Sequence, residues 1–171
     1  SEEILQLEKV HQALSIIQFK LETQLIKRRP EFQMEDQVKL DNIDYLKECV
    51  TIDGKKYNLT NTCFQTIDPA NPAELSLEES QAVDSLLASF QGSPKLAEHI
   101  ELLMKKGSMY KIYNQHLLFH GCIPLEASGE LKPLIINQSC YAGRELLDFF
   151  EYHIRQAAKN KEIGDDFSTD L

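Results

Sequence analysis

Residues 106–125, KGSMYKIYNQHLLFHGCIPL, decide how the rest of the chain is read. Gly107 stops a helix, 109–113 is rich in β-formers, Asn114-Gln115 is a polar break, and 117–119 is a second apolar run that delivers His120-Gly121-Cys122 and then Pro124. Two such runs about a polar break predict a strand pair over 109–120. A strand that ends in histidine followed at once by glycine holds an imidazole at the rim of a sheet, because the strand is rigid and Gly121 lets the backbone turn away beside the ring. From the residues alone His120 is either a metal ligand or a hydrogen-bonded structural histidine. A nucleophilic Cys122 is disfavoured, since nothing places a base and an oxyanion donor pair around it.

Working outward, the preceding segment, 76–107, predicts a helical pair. Ser76 and Glu79 stand three apart as a capping box, with Leu77, Val83, Leu86, Leu87 and Phe90 as the expected buried face up to Gly92. Ser93 then caps a second helix with Pro94 at its first position, and Leu96, Ile100, Leu103 and Met104 are expected to pack inward in an antiparallel arrangement. His99 falls among polar positions and reads as solvated. Further upstream, 30–75 reads as a hairpin and loop insertion. Residues 34–40 allow a short helix, 49–52 and 55–59 flank Asp53-Gly54 as a β-hairpin, and 60–73 is an irregular loop punctuated by Asp68-Pro69 and Asn71-Pro72.

The chain opens with a long amphipathic helix over 1–29. Leu7, Val10, Leu14, Ile17, Leu21 and Leu25 recur at three and four, and no Gly or Pro intervenes before Pro30. His11 on this helix reads as a solvated or satisfied histidine. Lys27, Arg28 and Arg29 sit at its end, where cations suit the negative pole of the helix dipole. The alternative is that Arg28 and Arg29 form a fork that holds a phosphate. Downstream of the His-Gly motif, 108–140 carries a further strand over 131–136, 141–160 predicts a helix with Leu146, Leu147, Phe149, Phe150, His153, Ile154 and Ala157 on its face, and 161–171 is an acidic tail with little to pack against. The fold class expected is mixed α/β (α+β): a single piece of a larger domain.

Composition narrows the function classes. A chain of 171 residues with 42% hydrophobic content can bury one core of ordinary size, and a net charge of -9 disfavours nucleic-acid binding, which needs a basic surface. No stretch approaches the length needed to span a bilayer, and no signal peptide opens the chain, so neither membrane nor nucleic acid is an expected partner. Four cysteines without CxxC spacing are expected to be free thiols in a reducing, cytoplasmic setting. There is no phosphate loop, no GxGxxG, no HExxH and no paired-carboxylate spacing, so no catalytic residue is assigned.

Three motifs together carry a resemblance. LLFHGCIPL looks like the histidine motif of calcineurin-like metallophosphoesterases, and with IIQFKLETQLIKRRPEF (16–32) and TIDPANPAEL (66–75), in the same order, it resembles the class 3, Firmicutes-type, fructose-1,6-bisphosphatases. The resemblance implies a partial metallophosphoesterase-type sandwich and a parent enzyme of gluconeogenesis. Such an enzyme hydrolyses the 1-phosphate of fructose 1,6-bisphosphate with two divalent ions, manganese being expected, and attack comes from a metal-bridging hydroxide in line with the leaving oxygen. It makes His120 one metal ligand and Arg28 and Arg29 candidates for a substrate phosphate. The family's Asp-x-His, Gly-Asp-x-x-Asp-Arg-Gly and Gly-Asn-His-Asp motifs, expected upstream, and its downstream Gly-His motif do not occur here. The chain is therefore expected to be an inactive portion whose partner is the remainder of the parent chain. The alternative is a non-catalytic module that docks on a partner through its amphipathic helices and shows an exposed apolar stripe on the first of them.

Overall fold

The computed structural model describes residues 2–60, 62–159 and 167–171. The elements are mixed helical and β, as the pattern predicted, and the chain divides into two compact units, residues 1–89 and 90–171. In the first unit α1 (Glu2–Arg28) runs the length the periodicity predicted and ends at Pro30, whose ring cannot continue it. Its buried face differs from the expected one. Lys20, Thr23 and Ile26 are buried, whereas Leu7, Val10, Leu14 and Leu21 of the apolar stripe lie exposed. The stripe is a property of the sequence that the described residues leave largely uncovered.

Polar side chains fasten α1 to the 60–75 loop. The Lys20 ammonium donates to the Thr66 carbonyl at 2.6 Å and Gln24 donates to the Ala73 carbonyl at 2.6 Å. The expected short helix over 34–40 is replaced by three separate 3-10 turns, Pro30–Phe32, Glu35–Gln37 and Leu40–Asn42, each too short for a run of α-helical bonds. They lead into β1 (Ile43–Asp44), which pairs antiparallel with β2 (Cys49–Ile52), and β2 with β3 (Lys55–Asn58). The Asp53-Gly54 turn has φ of +50° and +73°, the left-handed pair that a two-residue hairpin demands and that this dipeptide supplies at low cost. Val38, Leu40, Cys49, Val50 and Ile67 close the small core with Ile26.

The capping box forms as read. The Ser76 amide donates to Glu79 at 2.8 Å and the Glu79 amide to the Ser76 hydroxyl at 3.2 Å, opening α2 (Leu77–Gln91). The predicted apolar face of α2 does not. Leu77, Leu86, Leu87 and Phe90 are exposed, and the buried residue on the helix is Glu79. Glu79 takes that place because Lys20 meets it at 2.7 Å.

In the second unit Ser93 caps α3 (Pro94–Lys106), its hydroxyl accepting from the Leu96 amide at 3.3 Å, but Ile100 and Leu103 lie exposed rather than packed. β4 (Tyr110–Tyr113) and β5 (His116–Phe119) form a two-stranded hairpin, and β6 (Leu134–Ile136) and β7 (Ser139–Tyr141) form another. The strand expected from 131 starts only at Leu134, since Pro133 cannot donate to a ladder; Leu131 makes a lone bridge to Leu125. Residue 141, expected to open a helix, ends β7 instead, and α4 (Gly143–Lys159) begins two residues later. Leu146 of its predicted face is buried, while Ile154 is exposed.

The acidic tail is also corrected. Residues 160–166 lie outside the described residues, but Phe167–Asp170 forms a turn of helix, α5, against α4, with the Phe167 ring 5.1 Å from His153 and the Ser168 hydroxyl 2.8 Å from His153 Nδ1. The sequence reading missed this because one aromatic among acids gives no periodic signal.

Candidate functional site

The candidate site lies at the end of the β4–β5 hairpin, and its position begins with a clamp on α4. Arg155 donates to the Met104 carbonyl at 2.6 Å and to the Gly107 carbonyl at 2.8 Å, which satisfies the open end of α3, while Glu151 accepts from the Met109 amide at 2.9 Å. Glu151 and Arg155 also pair with each other at 2.8 Å. The bond from the Met109 amide, outweighing burial with help from Arg155, holds the Glu151 carboxyl below its ordinary range, so it stays an acceptor at neutral pH. The entry to β4 is thus fixed by a charged pair from a helix more than forty residues downstream.

From there the register runs Tyr110 against Phe119, Lys111 against Leu118, Ile112 against Leu117 and Tyr113 against His116. The chain turns on Asn114-Gln115, both at positive φ, +49° and +63°. His120 follows β5 directly and is exposed, as the strand-end reading predicted. Gly121 has φ of +93° with nothing within 4 Å of where a side chain would begin, so its demand for glycine is conformational rather than steric. Cys122, two residues on, is an exposed free thiol; Cys49, Cys63 and Cys140 are free as well.

Among the described residues no group of three or more His, Cys, Asp or Glu comes together to hold a metal ion. His120 therefore belongs to no such group among the described residues, which by themselves do not fit a metal centre. His99 and His11 are exposed on α3 and α1, as read, and His153 is engaged with Ser168 and the aromatic rings of α4 and α5.

At the other candidate position, Lys27 pairs with Asp41 at 2.8 Å and Arg29 lies 3.5 Å from Glu31, half-buried. Arg28 is exposed on the last turn of α1. The carboxylates of Asp41 and Glu31 were not weighed in the sequence reading, although both lie close by in the chain. They show that this cluster neutralises helix-end charge locally.

Among the described residues no helix is long and apolar enough to cross a membrane. The family model described as Firmicute fructose-1,6-bisphosphatase matches residues 1–171. A class 3 fructose-1,6-bisphosphatase of Streptococcus gordonii is 84% identical over all of this chain, which covers 27% of that protein. The corresponding protein of Streptococcus sanguinis is 76% identical over 99% of the chain, and that of Staphylococcus epidermidis 52% identical over 97%, the chain covering 27% and 25% of them. The chain thus spans about a quarter of the length of the curated relatives it matches. No solved structure matches it.

Proposed function

The chain belongs to the Firmicute fructose-1,6-bisphosphatase family, and from that premise we propose that it is a portion of a metal-dependent, cytoplasmic fructose-1,6-bisphosphatase. The reaction is hydrolysis of the 1-phosphate of fructose 1,6-bisphosphate to fructose 6-phosphate and phosphate, a step of gluconeogenesis. The observation that supports it most is the match of the family model across residues 1–171.

Within that reading His120 supplies one ligand, and the other ligands come from the rest of the enzyme. A divalent pair, manganese being the expected ion, would provide hydroxide at neutral pH and offset phosphate charge when bound. The contribution of this chain is to hold the imidazole: β5 fixes its height and Gly121 carries the backbone away, leaving the ring accessible. Arg28 and Arg29, at the basic end of α1, are the candidates for a substrate phosphate.

In the full-length enzyme, His120→Ala is expected to remove about one bound metal ion per chain and to cut kcat by at least about 100-fold, a loss of roughly 2.7 kcal/mol in the barrier. Bound metal is read by elemental analysis, and an unchanged metal content overturns the role. Arg28→Ala is expected to raise KM several-fold with kcat little changed; unaltered kinetics remove Arg28 from the substrate site.

The second reading, a non-catalytic docking module, gains one observation: Leu7, Val10 and Leu14 of α1 are exposed. A portion of a larger enzyme shows the same feature, and the family match favours the enzyme.

A further inference from the structure

We propose that a cleft in the first unit, walled by the end of α1, residues 40–46 and the 66–72 loop, binds the ring of a sugar, taken either free or as a sugar phosphate. The inference goes beyond the proposed hydrolysis and stands on the first unit alone.

The cleft has a volume of about 540 Å³, within the ~300–1,000 Å³ of small-molecule sites. Its walls are fixed by bonds already in place. On one side the Tyr45 hydroxyl donates to the carbonyl of the buried Leu40 at 2.8 Å, and the Tyr45 ring stands edge-on to Phe64 at 5.2 Å. Pro69, Ala70 and Pro72 line the cleft as well, and they come from TIDPANPAEL, a motif to which the hydrolysis assigns no role. That loop is tied down at both ends of its turn: the Asp68 side chain accepts from the Ala70 amide at 2.9 Å, its carbonyl from the Asn71 amide at 3.0 Å, and the Ala73 carbonyl from Gln24 of α1 at 2.6 Å. A wall of phenol and pyrrolidine rings held before a ligand arrives costs little ordering on binding, and it offers flat apolar surface to the C–H face of a sugar ring.

The polar groups select the charge of the ligand. Lys27 and Asp41 pair at 2.8 Å, each about half exposed, while Asp44 accepts from the Lys47 amide and ammonium, both at 3.0 Å. Each carboxylate lining the cleft therefore has its own lysine, and a bare anion or cation gains little there. The Lys27–Asp41 pair engages one donor of three on the ammonium and one oxygen of the carboxylate, which leaves donors and acceptors side by side. Neighbouring hydroxyl groups, each of which both donates and accepts, match that arrangement. A polyol with a flat C–H face meets both conditions, and a sugar ring is such a molecule.

The test is hydrogen exchange on the full-length enzyme titrated with D-fructose, fructose 6-phosphate or inorganic phosphate. Peptides over 40–46 and 66–72 are expected to exchange about 10-fold more slowly once D-fructose stands about tenfold above its Kd. Asp41→Ala, which removes the acceptor, and Ala70→Phe, which fills the cleft, are each expected to weaken that binding by about 10-fold or more. The titration of the unmodified enzyme decides the point even where a variant fails to fold. Fructose 6-phosphate bound at least about 10-fold tighter than D-fructose at the same peptides supports a sugar phosphate as the natural ligand, and equal binding supports the free sugar. No slowing by either sugar, slowing confined to other peptides, inorganic phosphate as effective as the sugars, or unchanged binding in both folded variants overturns the proposal. The readout is local to these peptides and needs no turnover, so its failure is distinguishable from a failure to hydrolyse fructose 1,6-bisphosphate.

Discussion

Lys20 has no exposed surface, and its ammonium meets Glu79 at 2.7 Å and the Thr66 carbonyl at 2.6 Å. A charge taken out of water survives only where its partners are complete, so removing one member leaves the other uncompensated. Lys20→Met is expected to destabilise the first unit by about 3–5 kcal/mol, while Lys20→Met with Glu79→Leu recovers most of the loss apart from the capping box, about 1 kcal/mol. Urea unfolding checks both; equal losses in the single and double variants would sink the account. Burial pushes the Glu79 carboxyl up, but the hydrogen bonds from Lys20, Thr66 and Ser76 outweigh it and hold the carboxyl below its ordinary 4.5. A depressed folded-state value means stability that is fully present above pH 4.5 and is lost as pH falls through the folded value. At this scale the sequence was least legible. Nothing local singles out Lys20 in the sequence, because the pairing that buries it joins residues fifty-nine apart.

Elements were legible where a local device writes them. The length of α1, the Ser76/Glu79 box, the Ser93-Pro94 start and the Asp53-Gly54 turn each depend on neighbours within four residues, and each formed as read. The return strand of the β6–β7 hairpin was missed because Ser139–Tyr141 is only three residues long and Tyr141 was read as opening the helix; the turn is Asn137-Gln138, at φ of +49° and +66°. Asparagine tolerates the left-handed region, whereas glutamine pays a steric cost there of roughly 1–2 kcal/mol. Gln138→Gly is therefore expected to stabilise the second unit by about 1 kcal/mol, after the greater freedom of glycine in the unfolded chain is subtracted. A raised urea midpoint with an unchanged slope confirms the strain, and a lowered midpoint refutes it. The buried faces expected on α2 and α3 failed for a different reason. Periodicity states which residues are apolar, not what covers them, and Leu86, Phe90, Ile100 and Leu103 remain 46–62% exposed.

For the whole molecule, that pattern of bare apolar faces and a lone ligand has one consequence for metal binding. His120 stands at the end of β5, while no cluster of three metal-binding side chains forms among the described residues. Affinity for a divalent ion rises steeply with the number of ligands fixed in place, since each added donor spares the ion further rearrangement. A single exposed imidazole supplies one donor and no charge. The isolated 171-residue chain is therefore expected to bind manganese more weakly than about 1 mM, or about -4.1 kcal/mol, and to leave fructose 1,6-bisphosphate intact. Isothermal titration of manganese into the chain decides the point. A saturable one-to-one site below about 10 μM, near -6.8 kcal/mol, would mean that the ligands are complete within these residues.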